Sequence, residues 1–260
     1  GEDHVFLFFF AAMGCSRSKP LDINEMASFP SNLMIFVRDD HSRTVEQEKL
    51  RRDLHKAAGG ILWLEFVYED MLEKARDAFA SPNTSDDAQV LEELKKSLNS
   101  SNGWSPEYNE ALVSLLSVAW KNQITCHALD DVDWSREAFI SKYGPTMGNL
   151  RYLMNRSNLL DDGEGATSRW CTKICARKDS GPILIMGGAE HGPPLVEFLK
   201  ARINVDMKFM YDDFEHIKRL AVTNLSRELD SLNTGNSEYQ NEEAQKLLQQ
   251  LQHTLQTLAK

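Results

Sequence analysis

The sequence is short of positive charge and of cysteine, and it lacks a long apolar run. Lys and Arg together number 29 against 39 Asp and Glu, a formal net charge of −10. Nucleic-acid binding relies on clustered cationic side chains meeting phosphate, so this balance argues against such a partner. The four cysteines, Cys15, Cys126, Cys171 and Cys175, are too few and too scattered for a disulfide scaffold. Cys171 and Cys175 stand four apart, so a helix would put both thiols on one face, as ordinary thiols or as a pair under oxidising conditions. No apolar stretch reaches the roughly 18 residues that a spanning helix needs. Absent too are a Walker loop, a Gly-x-Gly-x-x-Gly turn, a Gly-x-Ser-x-Gly elbow and any internal repeat. Nucleotide-binding and serine-hydrolase readings lose support accordingly.

What is present is an ordinary globular composition, 42% hydrophobic and 26% charged over 260 residues. That length fits one large α/β domain, or one domain plus a helical appendage. The most apolar stretch, Val5 to Cys15, is followed at once by polar Ser16-Arg17-Ser18-Lys19. An apolar core ending in small residues before cysteine has the form of a bacterial lipoprotein leader, with Cys15 as the lipidated residue. The competing reading is a buried strand or hydrophobic arm. Residues 1–20 are therefore set apart as leader or arm. Residues 21–216 form the α/β domain and 217–260 a C-terminal helical extension.

The central pattern lies between Leu33 and Glu65. An apolar run, 33–37, leads into Arg38-Asp39-Asp40-His41, then a polar helix, then Gly59-Gly60 and a second apolar run ending in Glu65. Further apolar runs at 124–129, 182–186 and 205–211 alternate with stretches of helical period. This alternation predicts a mostly parallel central sheet flanked by helices, with helical inserts. In such sheets the strand C-termini share one edge, where ligands bind. Asp39 with His41, Glu65, and Glu190 with His191 all stand at strand exits, and Asp130 stands at a fourth. A short helix is expected within 21–32, a loop over 161–168, and a helix over about 146–160 carrying Arg151, Asn155 and Arg156. The two arginines are candidate anion or carbonyl clamps. Near the C-terminus, Ala244, Leu248, Leu251, Leu255 and Leu258 recur at heptad-like spacing. That spacing suits a helix packed on its own domain, or a homodimer contact. His55, His127, His216 and His253 fall mid-strand or on helices and are set aside.

Two imidazoles and two carboxylates at one sheet edge allow two chemistries. His41, Glu65 and His191 could ligate a divalent metal that activates water. Alternatively, a His–carboxylate pair could act directly as general base and acid.

The order of these motifs resembles the Tiki/TraB, erythromycin-esterase-like and ChaN-like superfamily over about residues 21–216. Gly188-Ala189-Glu190-His191 matches its second Gly-x-x-His motif. Arg38-Asp39-Asp40-His41 matches the first in part, with Arg38 where the family has Gly and Asp39 where members often have Glu. Glu65 matches the glutamate closing the second strand, and Arg151 with Asn155 looks like the Arg/Asn helix. The superfamily includes metal-dependent proteases, macrolide esterases, haem-binding lipoproteins and the Ras/Rap-cleaving domain of bacterial toxins. The resemblance implies a hydrolase of peptide or ester bonds, with Asp39, His41, Glu65 and His191 catalytic and Arg151 and Asn155 binding substrate; Arg38, at the departure from the motif, is a further candidate for substrate contact. The resemblance equally accommodates a haem- or iron-binding lipoprotein of the bacterial envelope or a secreted protein, whose only membrane link would be Cys15. Arg38 favours a third reading, a non-catalytic interaction domain, because it would fill the pocket or pair with Asp39 or Glu65.

Overall fold

The computed structural model describes residues 26–40, 43–65, 67–80, 87–101, 104–130, 136–156, 165–176, 181–232 and 237–258. Cys15 and His41, and with them the leader and the first imidazole of the expected site, lie outside the described residues. Five strands form the sheet: β1 (Met34–Asp39), β2 (Ile61–Leu64), β3 (Thr125–Ala128), β4 (Ile183–Gly188) and β5 (Lys208–Met210). Helix α1 (Val45–Asp53) follows β1. Between β2 and β3 come α2 (Glu69–Ala80), α3 (Asp87–Ser101) and α4 (Pro106–Lys121). Between β3 and β4 come α5 (Arg136–Tyr143), α6 (Pro145–Arg156) and α7 (Ala166–Ala176). The chain ends with α8 (Gly192–Ile203) before β5, then α9 (Phe214–Asp230) and α10 (Glu242–Leu258).

All strand pairings are parallel, in the order β3-β2-β4-β1-β5. The expected α/β architecture is therefore what the chain adopts. The late strand β4 is inserted between the two earliest, so Asp39 lies in register with Gly188 and Leu64 with Met186. This order delivers the exits of β1, β4 and β2 side by side.

Strands buried on both faces read as continuous apolar runs. On one face Ile35, Val37, Leu62, Leu64 and Leu184 pack against Leu50 of α1, Leu94 of α3 and Leu115 of α4. On the other, Phe36, Trp63 and Ile185 meet Cys171 of α7, Leu195 of α8 and Ile217 of α9. Cys171 and Cys175 share a helix face as their spacing implies, their sulfurs 3.7 Å apart as free thiols. Among the described residues no helix is long and apolar enough to cross a membrane.

Two expectations change. Residues 26–32 form turns and bends rather than a helix. Pro30 disfavours helical geometry at Phe29, whose N–H instead donates to Lys56 O at 2.7 Å. Helix α7 begins at Ala166, inside the expected loop, because Asn155 Oδ1 accepts the Ala166 N–H at 2.9 Å and caps it from another helix. Helix α9 buries Ile217, Ala221 and Leu225. On α10, Ala244, Leu248 and Leu251 pack against Leu150, Leu153 and Met154 of α6, so this much of the heptad face is used within the chain.

Candidate active site at the C-terminal sheet edge

Glu65 follows β2 directly, its N–H bonded to Met186 O at 3.1 Å. This continues the β2–β4 ladder by one residue and aims the side chain across the end of β4. There Oε2 accepts the Gly188 N–H at 2.5 Å, while Oε1 faces His191 Nε2 at 3.4 Å. A Cβ at Gly187 would lie 3.0 Å from Glu65 Oε2 and 3.1 Å from the Trp170 ring, so this close approach calls for glycine. Glu65 and His191 are only 6% and 4% exposed.

His191 closes a 3-10 turn, Ala189–His191, between β4 and α8. Its Nδ1 is 2.8 Å from Thr167 Oγ1, and its ring lies 4.2 Å, centroid to centroid, from Trp170. Trp170 Nε1 donates to Asp130 Oδ1 at 2.9 Å, which brings the fourth strand exit into the site through the indole. Buried Glu190 points elsewhere, into an ion pair with Arg156. Arg156 also donates to the Tyr152 hydroxyl at 2.8 Å and lies 3.9 Å from Glu228 of α9.

Asp39 is buried at the end of β1. Its Oδ1 accepts from Gln47 Nε2 at 2.8 Å, and its Oδ2 accepts the Tyr108 hydroxyl. Tyr108 is placed by the start of α4, where the Ser105 hydroxyl accepts the Tyr108 N–H at 3.1 Å and Pro106 begins the helix. Burial first, then the Asp39 charge, holds the Tyr108 phenol well above the ordinary tyrosine range. Unfolded tyrosine ionises near pH 10, so above that pH the unfolded chain releases a proton that folded Tyr108 keeps. Its stabilising contribution is complete below about pH 10 and falls by about 1.4 kcal/mol per pH unit above it. Urea unfolding from about pH 8 to 11 is expected to show a shallower alkaline loss in Tyr108→Phe than in the native sequence.

Arg38, on the next position of β1, projects opposite to Asp39. It is drawn toward the β5 side, donating to Asp212 Oδ2 at 3.1 Å and Glu46 Oε1 at 2.6 Å, with Asp40 at 3.7 Å. These carboxylates take the guanidinium in place of the Asp39 or Glu65 pairing considered from sequence. Arg151 and Asn155 also serve other ends. Arg151 pairs with Glu243 of α10 at 3.1 Å and lies over the Tyr143 ring, while Asn155 caps α7. Of the two candidate arginines it is Arg156 that reaches the motif, through Glu190.

Thr167, Trp170 and Tyr108 had no signal in the sequence, since each joins the site only through long-range packing, whereas Gln47 reaches Asp39 from the first turn of α1. Among the described residues no group of three or more His, Cys, Asp or Glu side chains is arranged to hold a metal. Glu65 and His191 would offer two donors, and the third expected ligand, His41, is not among those residues.

No protein-family model matches the chain, and no curated protein matches it. A solved structure, that of the type III effector HopBA1, is similar with a TM-score of 0.40 and 18% identity, covering 62% of this chain and 67% of that one. A likeness that slight transfers neither fold nor function.

Proposed function

We propose that this protein is a hydrolase of peptide or ester bonds in which His191 is the general base and Glu65 the carboxylate that stabilises it once protonated. The observation that carries this reading is the meeting of Glu65 and His191 at 3.4 Å, from separate strand exits, with both side chains almost fully buried. A carboxylate beside an imidazole favours the charged ring that proton abstraction creates. The gap between Nε2 and Oε1 is longer than a good hydrogen bond, as catalytic contacts often are before substrate binds. The motif order supports the same reading, because Glu65 and Gly188-Ala189-Glu190-His191 are the residues that resemble the Tiki/TraB and erythromycin-esterase-like pattern. Asp39, held by Gln47 and Tyr108, shapes the β1 side of the edge.

Hydrolysis of a p-nitrophenyl ester series and of a quenched fluorescent peptide library tests this. Native protein should turn over one of the two classes, and folded His191→Ala should lose about 10²–10⁴-fold in rate. Equal rates for both proteins would refute the assignment.

A further inference from the structure

Building on the hydrolase reading, we propose that Cys171 and Cys175 form a reversible disulfide that switches the His191 site, made when a low-molecular-weight disulfide oxidises Cys175. The two sulfurs already lie 3.7 Å apart on α7. Cys171 is fully buried against the sheet, and Cys175, one turn on, is half-buried, so the oxidant meets Cys175 first. In that step the Cys175 thiolate attacks one sulfur of the small disulfide, forming a mixed disulfide and expelling one small thiolate. The Cys171 thiol then gives up its proton, and its sulfur attacks that of Cys175 and expels the second small thiolate. Two protein thiols are oxidised, one small disulfide is reduced to two thiols, and the two protons lost by the protein go to them. Burial first, then Cys175, holds the Cys171 thiol up at about 12, so Cys171 is inert until its neighbour has reacted. Thereafter the Cys175 charge is gone, while Arg202, anchored on Thr172 Oγ1 at 2.6 Å, still favours the Cys171 thiolate.

The position of the pair ties it to the site. Thr167, Cys171 and Cys175 recur at intervals of four and so lie along one stripe of α7. At one end Thr167 Oγ1 is 2.8 Å from His191 Nδ1, and Trp170, next to Cys171, lies 4.2 Å from the His191 ring. Residues four apart on a helix have their Cα atoms about 6 Å apart, within reach of a disulfide. Their Cβ atoms stand about 5–6 Å apart, however, where a disulfide needs about 3.5–4.5 Å. Closing the bond therefore tightens the turn from Cys171 to Cys175 and shifts the Trp170 and Thr167 contacts with the imidazole. The same misfit makes the bond easily reduced, which suits a switch.

The test is oxidation of the full chain by glutathione disulfide, in the native protein, Cys175→Ser and Cys171→Ala. It is read by tryptic mapping, by turnover of the ester or peptide substrate and by the His191 ring signals in NMR. Trypsin cuts after Arg169, Lys173 and Arg177, so the disulfide would hold peptides 170–173 and 174–177 together. Native protein should give that linked pair, with turnover down about 10- to 100-fold and restored by dithiothreitol. The His191 signals should shift on oxidation and return on reduction. Cys175→Ser should show none of these changes, and Cys171→Ala should stop at a mixed disulfide on Cys175. Peptides that stay unlinked in the native protein, a linked pair that leaves the His191 signals unmoved, or the same shift in Cys175→Ser would overturn the proposal. The map and the His191 signals need no substrate, so failure of the hydrolase reading is separable from failure of this one.

Discussion

Replacing Arg156 with Ala is expected to destabilise the fold by about 3 kcal/mol, the lower end of the cost of stripping one partner from a buried ion pair. The side chain of Glu190 is 4% exposed and depends on the Arg156 guanidinium. Without it, a carboxylate would remain in a space too dry to solvate it. Arg156 itself is 24% exposed, so some water enters as the guanidinium leaves, which holds the cost at the lower end. The same guanidinium touches Tyr152 on α6 and Glu228 on α9, so its loss also loosens α9 against α6. Removing the stranded charge should recover most of the loss. The double variant Arg156→Ala/Glu190→Gln is expected to unfold in urea at a midpoint nearer the native one than Arg156→Ala alone. A single variant with native stability would show that the pair contributes nothing.

The second large effect is chemical. Glu65→Gln is expected to fold normally and to lose about 10²–10⁴-fold in turnover, equivalent to about 3–5 kcal/mol in the barrier. An amide oxygen can still accept the Gly188 N–H, which keeps the β2–β4 junction intact. Its NH₂ would then face His191 Nε2 as a donor, where the native carboxylate can only accept. Glutamine also offers no charge to the imidazolium that forms. A melting temperature near native together with collapsed turnover would separate this chemical role from a structural one.

The sequence made the strands legible because a parallel sheet buried on both faces needs unbroken apolar runs, and Met34 to Val37, Ile61 to Leu64 and Ile183 to Met186 supply them. It also placed Glu65 and His191 at strand exits. The strand order is encoded only in tertiary packing, yet the insertion of β4 between β1 and β2 is what brings that pair together. The supporting groups were not legible for the same reason. Thr167 lies at the start of a helix whose cap, Asn155, comes from a different helix, and no local pattern announces that bond. The arginines could have been narrowed further. Arg151 and Arg156 are five positions apart, about 140° around a helix, and so cannot face the same place. One pairs with α10 and the other with Glu190.

The central claim is that Glu65 and His191 work as one unit, and a double-mutant cycle on turnover tests it most directly. If they do, Glu65→Gln/His191→Ala should be hardly slower than the worse single variant, because removing either member already disables the pair. A double variant whose loss equals the product of the two single losses would show independent action and would contradict the account.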